Sequence, residues 1–587
     1  MHRTLSRLAL ALTLLVPAAV AQWTANPGLN TAISTAAGDQ SQPKVVPAPD
    51  GSFYLAWFDG LASGWDVRLQ RLDAYGVKQW GANGVLVADR GYSSTQDYGL
   101  DVDAGGNALL TFRDDSGASD QIAASKVLAD GTLAWGPTPV LLTATAGFVA
   151  APSICGTTDG GAIVSWTEDS STRVQKLDAN GAPLWGAGLT WTPGAGSYSV
   201  CDSHEAGAGA IISFVHQTGG FGSPRHLYAQ KVDGSGGLLW GANHLAVFDG
   251  GSLQFGNFPD FRPDGSGGAV FSWYDAATSL LNVYAQRVLS NGTEAFPHNG
   301  AAGSLSTLRV RVSPSADYDP ATGETFMFWT EQNLTQSVSG CFGQKFDAAG
   351  VRQWGNNGTF IFPLASTSIT GVNTQVHQGG AFVFWVNAVT NNFDLACAGR
   401  MNGNGTVDMG AYDASTVVSN KSRLVVARNS AGNQVLGWVD DRSDAGDIYV
   451  QNVDCDGDFG PSSWSALGFA KPGSVGTPKL TVDGTLSLGC PLAVHLADAA
   501  PGALAYIVVG LADVNLPFYG GTLVPAFEAP FGTFLPLLTG PDGKLPITAP
   551  WPGGVPGGTE LFLQYWIVDP PAFAGFSASN ASMGTVP

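Results

Sequence analysis

An all-β fold is predicted by three features of the sequence. Short apolar runs closed by an aromatic residue recur along residues 42–460, Asp/Asn/Gly turn signals separate them, and no stretch combines a helical period with caps. Glycine (78) and proline (34) are abundant among the 587 residues, as expected of a chain with many tight turns. Because 44% of the residues are hydrophobic and 10% aromatic, the chain can bury a large core, which excludes a disordered or collagen-like protein.

One sequence frame recurs eight times between residues 42 and 460. Its clearest copies are GGAIVSWTED at residues 160–169 and GGAVFSWYDA at residues 267–276. In every copy an aromatic residue, here called the anchor, closes the apolar run, and successive anchors are 48 to 59 residues apart. The anchors are Trp57, Phe112, Trp166, Phe214, Trp273, Trp329, Trp385 and Trp438.

Each copy of the frame predicts four short strands. After the anchor come a variable loop and a strand ending in a Gln-basic-apolar triplet, such as Gln70-Arg71-Leu72. A turn and a strand opening with Trp-Gly follow, as at Trp80. Four antiparallel strands repeated every 50 or so residues are typical of the blades of a β-propeller. The pattern therefore predicts an eight-bladed propeller over residues 22–460, with a seven-bladed ring as the alternative.

The two ends of the repeat region complement each other. The eighth copy lacks a Trp-Gly strand after its turn at residues 454–457, whereas residues 22–26 (QWTAN) align with residues 79–83 (QWGAN). We therefore expect the segment that carries Trp23 to supply the outer strand of the last blade. Such a closure leaves neither terminal blade unpaired.

The repeat stops near residue 460. Residues 461–472 are predicted to be a linker, and residues 473–587 carry short β-like runs between Pro/Gly turns. A small β-sandwich suits that length and composition.

The N-terminus predicts export. Residues 1–21 contain Arg3 and Arg7, an apolar stretch from Leu8 to Val16 and a small-residue cleavage site, which is the pattern of a secretory signal peptide. No later stretch approaches the about 20 apolar residues of a membrane span. The sequence thus predicts a secreted, extracellular or cell-surface protein with no integral membrane segment after cleavage of the signal.

Charge and cysteine content narrow the possible partners. With 27 basic and 47 acidic residues, the formal charge is −20, and a shortage of clustered cations argues against nucleic acid as a partner. Six cysteines in an oxidising compartment predict disulfides, with free buried thiols as the alternative. Their positions in successive repeats favour pairing Cys155 with Cys201, Cys341 with Cys397 and Cys455 with Cys490.

A family resemblance rests on the repeat motifs. The stretches from Gly268 to Asp275, Tyr284 to Arg287 and Trp80 to Gly84 resemble exported bacterial β-propeller repeat proteins, in which W-x-D, YAQ[KR] and WG motifs recur. The C-terminal region is similar to β-sandwich modules that trail such proteins. The resemblance covers nearly the whole chain after the signal. It implies a propeller with an attachment or sorting module and brings no catalytic residues.

A repeated polar position marks one candidate binding face. Two residues after each anchor, six of the eight copies carry an acid. These acids either cap turns by accepting backbone N–H groups or form a carboxylate-rich face able to hold Ca²⁺ or sugar hydroxyls. The positions are Asp59, Asp114, Glu168, His216, Asp275, Glu331, Asn387 and Asp440.

Other candidates break the repeat. His216 replaces the usual acid, and His226 begins the strand that returns from the same loop, so the two could face each other as metal ligands or as an acid/base pair. Asp454, Asp456 and Asp458 alternate like the ligands of a calcium loop, although a tight turn is the alternative and no distal Glu follows. Exposed aromatics could stack on ligands; Trp65, Tyr92 and Tyr198 are the candidates.

The sequence therefore predicts a secreted, non-catalytic propeller that binds or displays an extracellular glycan or protein. The C-terminal module is expected to attach or sort it. Two alternatives remain open: a glycan-active enzyme, either a lyase or a hydrolase, and a structural adhesion or surface protein. No cofactor is certain from the sequence, and Ca²⁺ is possible.

Overall fold

The computed structural model describes residues 23–91, 98–115, 119–143, 147–390 and 392–587. This part of the chain is built from β-strands with one short 3₁₀ turn, Phe573–Gly575, which confirms the all-β prediction. The predicted signal peptide (residues 1–21) and Tyr92 lie outside the described residues. No helix among the described residues has the length and apolar character needed to cross a membrane.

Strands β1 to β17 form the first four sheets and one strand of the last. β1 (Thr31–Ser34) belongs to sheet 8. The strands of sheets 1 to 4 follow in groups of four: β2 (Asp39–Pro47), β3 (Phe53–Leu61), β4 (Gly64–Leu72), β5 (Val85–Ala88); β6 (Gly99–Val102), β7 (Ala108–Asp114), β8 (Gln121–Val127), β9 (Val140–Leu141); β10 (Val149–Gly156), β11 (Ala162–Glu168), β12 (Ser171–Leu177), β13 (Leu189–Trp191); β14 (Ser197–Ala206), β15 (Gly209–Gln217), β16 (Arg225–Val232), β17 (Leu245–Phe248).

Strands β18 to β32 form sheets 5 to 7 and the rest of sheet 8. They are β18 (Phe261–Pro263), β19 (Ala269–Asp275), β20 (Asn282–Val288), β21 (Ala301–Ala302); β22 (Arg309–Asp319), β23 (Glu324–Asn333), β24 (Ser339–Phe346), β25 (Thr359–Ala365); β26 (Ser368–His377), β27 (Gly380–Thr390), β28 (Phe393–Met401), β29 (Val407–Ser415); β30 (Lys421–Arg428), β31 (Gln434–Asp440), β32 (Asp447–Val453).

The described residues between 31 and 453 thus form four-stranded antiparallel sheets in a propeller-like succession. We call the first strand of each sheet its inner strand; in sheet 8 this is β30. Every inner strand contacts the inner strand of the next sheet, and β2 contacts β30, so the succession closes in a circle around an axial channel. The central strands are buried on both faces, as the apolar runs predict: all seven residues of β7 are buried.

Two side-chain hydrogen bonds repeat from sheet to sheet. In sheet 1, Gln70 accepts from the Trp80 amide (3.1 Å) and donates to the Gly81 carbonyl (2.9 Å), which fixes the Trp-Gly segment as a turn. The outer strand therefore begins at Val85 rather than at Trp80 as predicted. The Trp80 indole N–H then donates to the Ala129 carbonyl in sheet 2 (3.2 Å). The same indole bond to the next sheet is made by Trp135, Trp185, Trp240 and Trp354.

The N-terminal segment closes the circle in the same way. β1 pairs antiparallel with β32, which confirms the predicted pairing of the first and last parts of the repeat region. Trp23 is buried, and its indole N–H donates to the Ala74 carbonyl of sheet 1 (3.1 Å). Gln451 donates to the Thr24 carbonyl (3.1 Å). This bond in sheet 8 is equivalent to the bond from Gln70 to the Gly81 carbonyl in sheet 1. Residues 23–34 therefore replace the Trp-Gly segment and outer strand that sheet 8 lacks.

The C-terminal module contains eleven described strands, which form two sheets and a hairpin. A large sheet has the order β33-β43-β41-β36-β39 with β42 paired to β41, a small sheet has the order β34-β35-β40, and β37 pairs with β38. The strands are β33 (Trp464–Gly468), β34 (Lys479–Asp483), β35 (Pro491–Ala497), β36 (Leu504–Gly510), β37 (Asp513–Phe518), β38 (Gly521–Pro525), β39 (Gly532–Leu538), β40 (Leu545–Pro550), β41 (Glu560–Val568), β42 (Phe576–Ala578) and β43 (Ala581–Thr585).

Both sheets of the module share one apolar core. Val482 of the small sheet and Ile507 and Tyr565 of the large sheet belong to the same buried cluster. The cluster also contains Trp464, so the segment predicted as a linker, residues 461–472, instead supplies strand β33 of the large sheet. The physical reason is that a buried tryptophan anchors this segment to the module.

One of the three predicted disulfides is confirmed. Cys455 and Cys490 are bonded, with their Cα atoms 5.9 Å apart, and they link sheet 8 to the module. The predicted pair of Cys155 and Cys201 is wrong: both are free thiols. Cys155 packs between sheets 3 and 4 and Cys201 between sheets 4 and 5, so sheet 4 separates them.

The predicted pair of Cys341 and Cys397 is also wrong. Both thiols are free and lie in the apolar cluster between sheets 6 and 7. The Cys397 thiol donates to the Leu395 carbonyl (3.8 Å) and to the Asp413 carboxylate (3.6 Å) rather than bonding to Cys341. Burial raises the pKa of both thiols, so they are held as neutral, weakly reactive groups.

Replacing Trp23 tests the closure of the circle. We expect Trp23→Ala to lower the free energy of unfolding by about 3 to 5 kcal/mol, because it removes a buried ring and the bond to Ala74. Leu29→Ala, at a 64% exposed residue of the same segment, is the matched control and should change little. The measurement is urea unfolding followed by tryptophan fluorescence. Equal stability of the two variants would contradict the closure.

The cysteine assignment predicts four free thiols and one bond. Alkylation of the denatured, unreduced mature protein should modify Cys155, Cys201, Cys341 and Cys397 alone, as read by mass spectrometry. Replacing Cys455 and Cys490 by serine should cost up to about 4 kcal/mol of stability, because the bond closes a loop of 35 residues. Two modified thiols, or none, would contradict the assignment.

Candidate binding site

The sheets leave two faces of different character. Turns between first and second strands, and between third and fourth strands, lie on the face covered by the C-terminal module, here called the module face. Loops between second and third strands, and from one sheet to the next, lie on the opposite, open face. Variable loops on a rigid scaffold are the usual place for binding residues. The module-face contacts are Tyr75 hydroxyl to Val482 carbonyl (2.9 Å), Asn429 to Asp483 (3.0 Å) and Lys544 to Gly105 carbonyl (2.7 Å).

The repeated acids lie at the ends of second strands, but protein groups occupy them. The anchor Trp329 donates its indole N–H to Glu331 (2.7 Å), and Arg311 pairs with the same carboxylate (2.9 Å). Burial raises the pKa of Glu331, and the guanidinium only partly offsets it. Residues two apart on a strand share a face, which is why the anchor reaches its acid. Trp166–Glu168 (3.1 Å) and Trp438–Asp440 (2.9 Å) repeat the bond.

The remaining members of this set also serve the scaffold. Asp59 is buried and ion-paired with Arg68 (2.5 Å). Asp275 accepts the backbone N–H groups of Ser252 (3.0 Å) and Ala277 (2.8 Å), which is the turn-capping role. Asp114 is buried at the end of β7, and Asn387 is buried within β27. The acids that follow the repeated positions cap loops as well: Asp115, Asp169 and Asp441 accept from Gly91, Phe148 and Asn420.

Asp440 shows how such a carboxylate is held charged. Burial alone would raise its pKa, but hydrogen bonds from Arg442 (2.6 Å) and from Trp438 keep the pKa below its ordinary value. The carboxylate is fully buried and has no open side for a ligand. The repeated acids therefore form the structural frame of the open face rather than a row of ligand-binding groups.

The predicted calcium loop lies on the module face. Asp454 accepts the backbone N–H groups of Asp456 and Asp458 (both 2.9 Å), and Ser487 of the module donates to Asp456 (2.5 Å). Burial and the neighbouring acids raise the pKa of Asp454 to about 6. Among the described residues, no three His, Cys, Asp or Glu side chains are grouped to hold a metal ion. The loop ties sheet 8 to the module, and calcium binding there stays a prediction.

His216 and His226 are direct cross-strand partners on β15 and β16. Their ring centroids are 6.4 Å apart, and the rings of Tyr198 and Tyr228 lie 5.0 and 5.4 Å from His216. His216 bonds through Nε2 to the Ala195 carbonyl (3.0 Å), and burial lowers the pKa of His226. The structure brings the two histidines together, but inside an aromatic cluster.

A different place on the open face forms a cavity. Its volume is about 450 Å³, and it lies where the loop from β17 to β18 meets the inner strands of sheets 5 to 7. The loop contributes Phe255, Phe258 and Asp260. Arg262 and Asn373 line the cavity from β18 and β26.

An aromatic rim borders this cavity. Phe221 is 88% exposed, Phe255 66% and Phe258 42%. A cluster of exposed apolar side chains is unusual on a protein surface and marks an interaction site. The rings of Phe221 and Phe255 lie 5.3 Å apart, nearly perpendicular. The Arg225 guanidinium lies 5.6 Å from the Phe255 ring and 4.9 Å from the Phe258 ring, and it donates to the Gln254 carbonyl, so it holds both rings in place.

The floor of the cavity is polar. Arg262 donates to the Asn373 side-chain oxygen across the channel (3.4 Å), and Gln375 donates to the same oxygen (3.0 Å). β-Bulges in β22 and β26 bend these strands at the cavity, with Ser313 and Gly371 at positive φ. A bulge leaves backbone groups unpaired and re-aims side chains, so the wall offers both donors and acceptors.

Ionisable groups lie deeper in the channel. His204 and Asp202 form an ion pair (2.9 Å) on β14. Burial would lower the pKa of His204, but the Asp202 charge raises it above its ordinary value; the His204 charge in turn lowers the pKa of Asp202. Burial raises the pKa of Asp101, on β6, to about 6. These ionisable side chains thus lie on the inner strands of sheets 2 and 4.

The aromatic rim was not predicted from the sequence. Its signal is present in TGGFG at residues 218–222 and FGNFPD at residues 255–260, where aromatic residues stand inside glycine-containing loops that break the repeat. Of the predicted stacking residues, Tyr198 is buried and Trp65 packs against Gly60. Tyr198 therefore offers no free ring face to a ligand, whereas Trp65 is half-buried.

Asp101 provides a pH test of the channel. Its folded pKa of about 6 lies above the unfolded value of about 4, so the folded state holds more protons between these pH values and stability falls as pH rises. Asp101→Asn, whose oxygen still accepts from the Gly156 amide, should remove about 2 kcal/mol of this fall between pH 4 and 7. Urea unfolding at both pH values measures it. An unchanged pH dependence would contradict the assignment.

Comparisons with known proteins find only distant structural likenesses. No family model and no curated protein matches the chain. Similar solved structures include prolyl oligopeptidase B from Galerina marginata (10% identity, TM-score 0.38, 68% of this chain and 55% of that one), the dihydro-heme d1 dehydrogenase NirN (12%, 0.38, 76% and 80%) and the polysaccharide lyase Uly1 (12%, 0.37, 75% and 94%). The chain thus spans about half the length of the oligopeptidase. Likenesses this distant assign no activity to the present chain.

Proposed function

We propose that this chain is a secreted, non-catalytic binding protein built on an eight-bladed β-propeller with a trailing β-sandwich. The circle of four-stranded sheets closed by β1 supports the propeller, and the core shared by two sheets of the module supports the sandwich. The signal-like N-terminus and the Cys455–Cys490 bond support an oxidising, extracellular address. The module, fixed to one face, serves to attach or sort the protein.

The ligand is a glycan held at the aromatic rim. This proposal is carried by the exposed rings of Phe221, Phe255 and Phe258 at the edge of a cavity with a polar floor. The apolar face of a sugar ring packs on an aromatic ring, while its hydroxyls hydrogen-bond to groups such as Arg262 and Asn373. A site that combines apolar walls with a few fixed polar groups is the usual design for small ligands.

Binding without turnover suits the distribution of carboxylates. Glycoside hydrolysis normally uses two carboxylates on either side of the scissile bond. Among the described residues that line the cavity, Asp260 is the one acid. The acids at the ends of the second strands are engaged by Trp, Arg or backbone donors, as Glu331 and Asp440 are. The chemistry of the cavity therefore favours recognition over hydrolysis.

A glycan array on the mature protein, with and without Ca²⁺, tests this function. We expect a glycan to bind saturably, and Phe255→Ala/Phe258→Ala to weaken binding at least about tenfold, because each ring contributes about 1 kcal/mol. Phe573→Ala, a ring 77% exposed on the module, is the matched control and should bind normally. No bound glycan, or equal binding by both variants, would overturn the proposed site.

The same complex separates binding from catalysis. Incubation of the bound glycan with the protein should release no new reducing ends and create no unsaturated uronate, as followed by chromatography of the products. Sustained turnover that Phe255→Ala/Phe258→Ala abolishes would establish the enzyme alternative instead.

A further inference from the structure

The outermost strand of the large sheet in the C-terminal module has an open edge. Among the described residues, β39 pairs with β36 alone, and the sheet order ends with it. An edge strand presents unpaired backbone N–H and C=O groups and is a template for another strand. The strand at the opposite edge, β33, is the one that leads in from sheet 8, and it carries mostly small residues.

The register of β39 shows which backbone groups are free. Hydrogen bonds from Leu511 N–H to the Phe531 carbonyl (2.8 Å) and from Thr539 N–H to the Ala503 carbonyl (3.0 Å) flank the strand. Antiparallel partners exchange bonds at every second residue, so odd-numbered residues of β39 face β36 and even-numbered ones face outward. Pro536 is therefore at an outward position, where its missing N–H costs no bond to β36.

The side chains of β39 are apolar on both faces. Phe534 (53% exposed) and Leu538 (66%) lie on one face, and Leu535 (54%) lies on the other. A strand with this pattern is typical of the interior of a sheet rather than of its edge. Further exposed apolar residues adjoin it, namely Leu504, Leu511 and Phe531.

Charge is absent from this edge. Residues 529–541 contain no Asp, Glu, Lys or Arg, in a chain whose formal charge is −20. Natural edge strands are normally protected by charged side chains, above all by lysine. Strongly acidic molecules repel one another, and an uncharged strand is where two copies of this chain can meet without bringing like charges together.

We propose that β39 pairs with β39 of a second copy of this chain, which joins two modules into one continuous sheet. In an antiparallel pairing with its two-fold axis at Phe534, the Phe534 N–H of each copy donates to the Phe534 carbonyl of the other copy. Each Gly532 N–H then donates to the Pro536 carbonyl of the other copy. Proline lacks an N–H, so this is the one backbone hydrogen bond that it can make across the interface. A two-fold interface uses the same surface on both partners, and this strand is complementary to itself.

The pairing places the two open faces away from the interface. The module covers the opposite face of the sheets, and β39 belongs to the module, so the aromatic rim of each copy stays accessible. A dimer would therefore present two rims, which raises avidity for a repeating ligand without new contacts. The dimer itself does not depend on glycan binding at the rim.

Sedimentation velocity of the full mature chain over a wide range of concentration tests the proposal. We expect a concentration-dependent dimer. Phe534→Ala keeps the backbone N–H and removes the ring, whereas Phe534→Pro removes both without touching the ladder to β36. The proline variant should associate at least about tenfold more weakly than the alanine variant, because two symmetric hydrogen bonds are lost.

Charge substitutions give an independent arm. Leu538→Asp should abolish the dimer, while Phe221→Asp, at a still more exposed apolar residue of the open face (88% against 66%), should leave it intact. Unchanged near-ultraviolet circular dichroism shows that each variant is folded. A monomer at every concentration would overturn the proposal, and so would a dimer that Phe534→Pro and Leu538→Asp leave unchanged.

Discussion

The hydrogen bond from a tryptophan indole to the turn of the next sheet is the interaction on which the structure depends. A four-stranded sheet cannot bury both of its faces alone, so each sheet must be registered against its neighbour. The bond from Trp80 to Ala129 does this, and Gln70 fixes the tryptophan in place. Trp23 makes the same bond to Ala74. The eight sheets therefore form a closed circle in which neither the first nor the last sheet lacks a neighbour.

This architecture decides where binding can occur. The acids that recur in the repeat are consumed by it, because Glu331 and Asp440 receive the indole N–H of their own anchors. A group needed in most sheets to hold the loops is not free for a ligand. Recognition is left to the irregular loops, and the loop that carries Phe255 and Phe258 is where the regular pattern is interrupted beside the channel. Symmetry supplies the scaffold, and departures from it supply the site.

The same reasoning distinguishes the two kinds of exposed edge. The outer strands of sheets 1 to 5 have two to four residues each, so they offer little to another strand, whereas the outer strands β25 and β29 have seven and nine residues. β39 has seven residues, apolar side chains on both faces and no charge. Short outer strands thus protect sheets 1 to 5 against edge-to-edge pairing, while the module keeps a long, uncharged edge.

The sequence by itself determined the strands, their order and the closure by Trp23, because alternation, turn residues and repeat spacing are local properties that survive in one dimension. It also predicted the Cys455–Cys490 bond. Only the tertiary structure decided that Cys155 and Cys201 lie on opposite sides of sheet 4, since a shift along a strand changes the face of a side chain. It alone also brought the phenylalanine rim together, because its members come from loops whose meeting depends on how whole sheets pack.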